Sequence, residues 1–304
     1  MSLRSGGARR AGGILAGLLV AAFLVWGVAG GWSKAADYPW EIDGPKLAAA
    51  VVVLVGFYLA WAAGYVALLE VLAGRRLDRR RFSSIWARSL LGRYVPGNVL
   101  MVAGRLVYGR EAGLPAKISL TASVYEQVTM LASAALAAAA FLVWEGRHWS
   151  PVFWSVLVAP FVLVLLDPAV LGRVAAWGLA RTGRSAEIVL LPRRQVASTL
   201  AWFAFTMALL GAGTALAIEG VAGPVPGGVP FVGLGYLLAW AVSMVAFVFP
   251  SGLGLREGAF AVVLSRHLPG PAAVSLAAAS RLLVTAVELV VVAARAAAGR
   301  ARAR

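Results

Sequence analysis

The hydrophobic positions of this chain fall into long runs that are separated by short segments rich in arginine, glycine and proline. The runs of membrane-spanning length are residues 12–32, 47–73, 117–144, 151–171, 196–218, 229–249 and 271–294. About 20 predominantly apolar residues in a helix cross the ~30 Å hydrocarbon core of a bilayer. The pattern predicts an all-α integral membrane protein with about seven to eight transmembrane helices.

Two further segments of membrane length, residues 89–110 and 250–268, are interrupted by proline, glycine and charged residues. Proline removes a backbone donor and glycine loosens the next turn, so backbone groups are left without hydrogen-bond partners, and lipid offers none. We therefore expect these breaks to line a cavity walled by protein. The pattern predicts a re-entrant hairpin or interrupted helix at 89–110, and the second segment either crosses or re-enters. The alternative is that both breaks only kink packed helices.

The arginine clusters predict the orientation of the chain. Residues 75–81, 173–194 and 295–304 are rich in arginine and lie between or after apolar runs, as cytoplasmic segments do. Eight crossings place all three clusters and the amino terminus in the cytoplasm, whereas seven crossings place the last cluster outside. We read residues 12–32 as a retained first span, because the run is longer than a signal-peptide core and lacks a clear cleavage site.

Composition agrees with this interpretation. The 304 residues are 61% hydrophobic and only 13% charged, and the mean hydropathy is +0.83, which excludes a water-soluble fold. The whole chain, 1–304, is therefore expected to be a single polytopic domain of the cell membrane. Its net charge of +15 resides largely in the loop clusters, so we do not expect nucleic-acid binding.

No cofactor or metal is expected. The chain has no cysteine, and its two histidines, His148 and His267, lie far apart in the sequence. A phosphate-binding loop of the G-x-x-x-x-G-K-[ST] type is also absent from the sequence, so we do not expect ATP hydrolysis in this chain.

Charged residues inside the predicted spans are the strongest functional signal. An arginine or glutamate at a helix centre costs about 2.5–3.5 kcal/mol, so each needs a partner or a wet cavity. Glu126 belongs to a polar stripe at helical spacing with Ser119, Ser123, Thr129 and Ser133. Similar spacing places Arg281, Thr285 and Glu288 on one helix face, and Asn98 and Arg105 on another if that stretch is helical.

The balance of these charges indicates an anionic ligand. Counting Arg93, Arg105, Arg256 and Arg281 against Glu126, Glu257 and Glu288 gives four minus three, one positive charge in excess. A guanidinium binds phosphate oxygens in a bidentate fork, so this excess suits a phosphate monoanion. The alternative is that the arginines only pair with the glutamates and hold helices together.

Two motifs resemble a known family. The sequence contains RYVPGNVLMVAGR at 93–105, Glu126 in the next span, FPSGLGLREGAF at 249–260 and Arg281 in the last span. This order resembles the flippase-like transmembrane domain of lysylphosphatidylglycerol synthases and their stand-alone relatives, over nearly the whole chain. The resemblance implies a membrane fold with re-entrant elements that moves phospholipids or lipid-linked substrates between leaflets. The chain ends at Arg304 without an aminoacyl-transfer domain, so lipid aminoacylation is not expected and the substrate stays open.

The leading hypothesis is a lipid translocase rather than an enzyme, with a membrane lipid as its substrate. The rivals are a membrane-embedded lipid headgroup transferase with Glu126 or Glu257 as general base, another small-solute transporter, and a scaffold subunit for glycoconjugate export. A homo-oligomer and a partner glycosyltransferase are the further partners left open. The expected substrate-binding residues are Arg93, Pro96, Gly97, Asn98, Arg105, Glu126, Pro250, Gly252, Gly254, Arg256, Glu257, Arg281 and Glu288.

Overall fold

The structure, a computed structural model, describes residues 37–94, 99–145, 189–245 and 254–300, together with residues 35, 167, 169, 170 and 173. In these residues the regular structure is helical, apart from one isolated bridge between Glu41 and Ala222. The predicted spans 12–32 and 151–171 lie largely or wholly outside the described residues. The same holds for five of the expected site residues, Pro96, Gly97, Asn98, Pro250 and Gly252.

The described α-helices are α1 (Gly44–Ala73), α2 (Arg79–Leu90), α3 (Val99–Glu111), α4 (Ala116–Glu145), α5 (Arg193–Ala222), α6 (Gly228–Val245), α7 (Leu255–Leu264) and α8 (Gly270–Arg300). Four of them, α1, α4, α5 and α8, are long and apolar enough to cross a membrane. The predicted all-α chain with membrane-spanning helices is confirmed to this extent. The count of seven or eight crossings stays a prediction.

Local sequence signals fix the ends of the first helices. Asp43 caps α1 by accepting a hydrogen bond from the backbone N–H of Lys46 at 2.9 Å, and Gly74 ends the helix in the left-handed conformation at φ 63°. Asp78 caps α2 in the same way, through the N–H groups of Arg80 and Arg81. The two helices are therefore separated by a short turn, and the chain folds back at once.

Glycines bring the long helices close together. A Cβ atom on Gly213 of α5 would lie 2.8 Å from Leu54 of α1, and one on Gly220 would lie 3.0 Å from Leu47. These pairs run in opposite directions along the two helices, so α1 and α5 are antiparallel. Gly211 of α5 likewise faces the backbone of Gly233 in α6. Small residues of this kind allow close backbone approach, which is how helices pack in membranes.

Helices α2 and α3 form an antiparallel hairpin, the first hairpin, residues 79–111. At its open end Arg81 Nη2 donates to the carbonyl of Glu111 at 3.2 Å, and midway Arg105 Nε donates to Ser89 Oγ at 3.1 Å. A 3-10 turn, Leu91–Tyr94, continues the first arm toward the tip. The interrupted segment predicted at 89–110 is therefore only part of a longer hairpin, because α2 begins ten residues earlier, at Arg79.

Helices α6 and α7 form the second hairpin, residues 228–264. The rings of Tyr236 and Phe260 lie 5.1 Å apart, and near the open end those of Phe231 and His267 lie 4.6 Å apart, so the arms are antiparallel. Helix α7 has 10 residues and is about 15 Å long, half of the ~30 Å hydrocarbon thickness. The described part of the segment 250–268 is thus a half-length helix that follows a break.

The two hairpins open toward opposite ends of the bundle. The first hairpin opens at the arginine-rich face, which we define by residues 74–81 and Arg295; Arg295 Nη1 of α8 donates to Ser83 Oγ there at 3.3 Å. The second hairpin opens at the opposite face, which carries the start of α1 and the end of α5. There the N–H of Asp43 donates to the carbonyl of Gly220 at 2.9 Å. The described arms of the two hairpins therefore run into the bundle from opposite ends.

Candidate anion-binding cavity

Described residues beside both sequence breaks line one cavity, which we call the central cavity. Its lining includes Arg93 from the first hairpin, Arg256 from the start of α7 and Arg281 from the middle of α8. Its volume is about 60 Å³, room for about four water molecules at the ~15 Å³ that each one needs. The rest of the lining is rich in aromatic side chains, among them Phe57, Tyr58, Trp61, Tyr236 and Trp240.

Arg281 is the least satisfied charge in this cavity. It is only 3% exposed, and its buried Nε has no hydrogen-bond partner among the residues that the structure describes. Its nearest carboxylate oxygen is Oε1 of Glu257, 3.7 Å from its Nε. One turn further along α8, the buried hydroxyl of Thr285 also lacks a partner in the described chain. A buried donor without an acceptor costs about 1–3 kcal/mol or more, so this position favours an anion or water in the cavity.

Arg256 and Glu257 occupy the first turn of α7, directly after the second break. Glu257 Oε2 accepts a hydrogen bond from the N–H of Gly254 at 2.8 Å, which satisfies a backbone donor at the start of the helix. Its other oxygen accepts from Arg256 Nη2 at 3.4 Å. The guanidinium of Arg256 also lies 5.5 Å from the ring centroid of Tyr236. Glu257 therefore both caps the helix and positions the two arginines beside it.

Arg93 is the residue of the first hairpin's 3-10 turn that lines the cavity. It forms an ion pair with Glu288 of α8, and Glu288 Oε2 also accepts a hydrogen bond from the hydroxyl of Tyr58 at 3.1 Å. The guanidinium of Arg93 lies 5.8 Å from the ring centroid of Trp61. Three separate elements, the first hairpin, α1 and α8, are thereby joined at this point.

The charges around the cavity do not cancel. Three arginines, Arg93, Arg256 and Arg281, are in contact with two carboxylates, Glu257 and Glu288, and three minus two leaves one positive charge. A buried uncompensated charge is expensive in a low-dielectric site. The charge of the cavity is therefore complementary to that of a monoanion.

Arg105 and Glu126 lie elsewhere, in a fully enclosed ion pair that we call the sealed pair. Both side chains are 0% exposed, and neither belongs to the lining of the central cavity. Arg105 binds both carboxylate oxygens of Glu126 and also donates to Ser89 and Ser123, at 3.1 and 3.3 Å. All three guanidinium nitrogens therefore have protein acceptors. The sequence grouped Arg105 with the other arginines, and the structure separates it from them.

Trp61 stands between the sealed pair and the central cavity. It lines the cavity, and its Nε1 donates to Glu126 Oε1. Trp86 of α2 lies within 3.4 Å of the same oxygen, and the two tryptophan rings are 5.4 Å apart. Sequence reasoning missed these aromatic residues because they fall in or beside apolar runs. The available signal was the helical spacing of Tyr58, Trp61 and Tyr65 on one face of α1.

The polar stripe of α4 is buried, and its members have different partners. Ser123 accepts from Arg105, as described above, and the hydroxyls of Thr129 and Ser133 donate to carbonyls of their own helix at 2.5 and 2.7 Å. Hydroxyls that bond the backbone of their own helix are common inside helices. Only part of the stripe therefore contributes to an ion pair.

The comparisons with known proteins do not assign a family. No protein-family model matches the chain, and no curated protein matches it. Within the described ranges, no three His, Cys, Asp or Glu side chains gather where they would hold a metal ion.

Proposed function

We propose that this protein is a lipid translocase that moves a phospholipid or a lipid-linked phosphate between the leaflets of the cell membrane. The single observation that carries the proposal is that Arg93 of the first hairpin and Arg256 of the second, which enter from opposite ends of the bundle, line one cavity with an excess arginine charge. Paired breaks of this kind mark the substrate site of many transporters, because irregular backbone at membrane depth is tolerated where it lines a cavity.

The ligand chemistry follows from the arginines. Arg256 and Arg281 both approach Oε1 of Glu257, at 3.4 and 3.7 Å, and a phosphate oxygen entering between them would exchange this weak contact for bidentate hydrogen bonds. A phosphodiester carries one negative charge, which equals the excess in the cavity. Glu257 and Glu288 then keep the arginines in place while the cavity is empty of substrate.

The membrane arrangement is part of the proposal. In it the first hairpin re-enters from the cytoplasmic side, and α6 and α7 together re-enter from the outer side. The run 229–249 is then not a full crossing, and six crossings keep the amino terminus and residues 295–304 in the cytoplasm. The arginine-rich face then faces the cytoplasm, in agreement with the positive-inside pattern of residues 75–81 and 295–304. The resemblance of the motifs at 93–105 and 249–260 to the flippase-like domain of lysylphosphatidylglycerol synthases supports the same function.

The cavity must open for a headgroup to enter. A volume of about 60 Å³ holds a few waters and not a phospholipid headgroup with its glycerol. The contacts that hold the hairpins against α8 beside it are ion pairs, namely Arg93 with Glu288 and Glu257 with Arg281. Because a phosphate competes for the same arginines, substrate binding weakens these contacts. This links headgroup capture to movement of the hairpins.

The proposal is tested by lipid movement in proteoliposomes. A fluorescent phosphatidylglycerol is reduced by an impermeant reagent in the outer leaflet, and the rate of its exposure is measured for the wild type, Arg281→Gln and Arg256→Ala. Loss of hydrogen bonds to a charged group, about 1.5–3 kcal/mol, lowers the rate about 10- to 150-fold. Arg281→Lys retains the charge without the fork and should recover only part of the rate.

Arg75→Gln is the matched control, because it removes an exposed arginine of the loop after α1. It should move lipid at the wild-type rate. Equal rates for all the variants, with correctly folded protein, would overturn the translocase and leave a scaffold role. The appearance of a new lipid species in the vesicles would instead favour the headgroup transferase.

A further inference from the structure

A second pocket, the lateral groove, lies outside the central cavity, between α1, α2, α5 and α8. Its floor is one face of α1, formed by Leu59, Ala62, Ala63, Val66 and Ala67, which recur every three or four residues. Trp202 of α5 forms one edge and is fixed by a hydrogen bond from its Nε1 to the carbonyl of Ala60 at 2.9 Å. The volume of the groove is about 410 Å³.

One end of this groove is strongly basic. Arg79 and Arg80 of α2 and Arg295 of α8 border it at the arginine-rich face. Arg80 and Arg295 also border a neighbouring pocket of about 540 Å³ that contains Arg81 and Arg88. The groove therefore continues from an apolar floor into an arginine cluster.

Several of these arginines lack a carboxylate. Arg79 is paired with Glu70 at 3.0 Å, but Arg80, Arg88 and Arg295 form no ion pair with any residue that the structure describes. Neutral hydroxyls hold two of them, since Arg88 donates to Ser84 at 3.2 Å and Arg295 to Ser83 at 3.3 Å. Hydroxyl partners position a guanidinium without neutralising it. Counting Asp78, Glu111 and Glu70, the partner of Arg79, against Arg79, Arg80, Arg81, Arg88 and Arg295 gives five minus three, an excess of two positive charges among the described residues.

We propose that the lateral groove binds one anionic phospholipid, with an acyl chain along α1 and the phosphodiester between Arg80 and Arg295. From residue 59 to residue 67 the floor is about 12 Å long, close to the depth of one leaflet of a ~30 Å hydrocarbon core. A soluble anion would leave this apolar floor without a binding partner, whereas an acyl chain would cover it. A zwitterionic lipid would bring a choline or ethanolamine cation against the arginines, which charge complementarity disfavours.

This inference does not depend on lipid translocation, because the groove shares no lining residue with the central cavity. Basic residues at the cytoplasmic surface attract anionic lipids electrostatically. A site of this kind concentrates the anionic lipid beside the first hairpin, whose helix α2 provides part of its wall.

The experiment is native mass spectrometry of the purified full chain titrated with phosphatidylglycerol or with phosphatidylcholine of the same acyl chains. The wild type should retain phosphatidylglycerol preferentially. In Arg80→Ala/Arg295→Ala the dissociation constant of one bound phosphatidylglycerol should rise about thirty-fold. Arg75→Ala/Arg194→Ala removes two exposed arginines that do not line the groove, and it should stay within about twofold of the wild type.

Two further variants separate the explanations. Ala63→Trp fills the exposed floor and keeps every charge, so it should abolish the same event, whereas Arg281→Gln alters only the central cavity and should preserve it. The proposal is overturned if the two arginine pairs weaken binding equally, if Ala63→Trp binds like the wild type, or if Ala63→Trp dissociates an oligomer without changing lipid retention. If Arg281→Gln retains lipid binding in the lateral groove but does not change lipid movement, the translocase proposal fails and the groove proposal stands.

Discussion

Replacing Arg105 by methionine tests whether the sealed pair is structural. The substitution leaves the carboxylate of Glu126 at 0% exposure, with tryptophan N–H groups as its remaining hydrogen-bond donors. Breaking a buried ion pair by removing one partner costs about 3–5 kcal/mol, because the other charge stays buried without compensation. We therefore expect Arg105→Met to lower the free energy of unfolding by about that amount.

The double variant Arg105→Met/Glu126→Gln should recover most of this loss. The glutamine is neutral, and its carbonyl oxygen still accepts the hydrogen bond from Trp61 Nε1. Replacing a whole buried pair by uncharged residues of similar volume is often close to neutral. What remains is the loss of hydrogen bonds to Ser89 and Ser123, for which we expect about 2 kcal/mol at most.

Unfolding of the purified protein in mixed micelles, with increasing dodecyl sulfate and tryptophan fluorescence as the signal, measures these differences. The same proteins are assayed for lipid movement in proteoliposomes. A structural pair predicts that the double variant is both folded and active. A double variant that is stable but does not move lipid would refute the reasoning, because Arg105 or Glu126 would then act on the substrate itself.

Glycine substitutions test the packing that positions the cavity. A Cβ atom on Gly92 would lie 2.5 Å from the backbone nitrogen of Met101, so Gly92→Ala should separate the arms of the first hairpin, cost about 1–3 kcal/mol in unfolding free energy and slow lipid movement. Gly56→Ala, with open space around it, should leave both measurements unchanged or raise stability slightly; equal effects of the two changes would contradict this. A Cβ atom on Gly211 would lie 3.0 Å from the carbonyl oxygen of Gly233, so Gly211→Val should push α5 away from α6 and lower the unfolding free energy by about 1–3 kcal/mol. An unchanged unfolding free energy would show that the two helices can move apart without cost.

Helix positions were largely readable from the sequence, because the apolar runs are long and their ends carry local signals. The predicted run 47–73 corresponds to α1, which begins three residues earlier at Gly44, directly after its Asp43 cap, and 117–144 and 196–218 lie within α4 and α5. Helix α2 was not predicted as a helix, since its exposed arginines hide a buried face of Phe82, Ile85 and Trp86. A short amphipathic helix gives a weak signal in a chain dominated by apolar runs.

The charged residues show what one-dimensional spacing determines and where it stops. Spacing along α8 determined that Arg281 and Glu288 share a face, because the helix period alone decides this. It did not determine that Glu288 contacts Arg93 while Glu257 approaches Arg281, because those partners come from other helices. For the same reason Arg105, which looks like the other arginines in the sequence, is enclosed with Glu126.

Composition and periodicity thus determined that the chain is helical, that it suits a membrane and that it carries charges at two interruptions. Only the tertiary structure decided that residues beside the two interruptions line one cavity and that the excess charge lies with Arg93, Arg256 and Arg281. The physical reason is that local sequence fixes the face on which a side chain lies. The packing of antiparallel helices, set by contacts such as Gly213 with Leu54, fixes what that face meets.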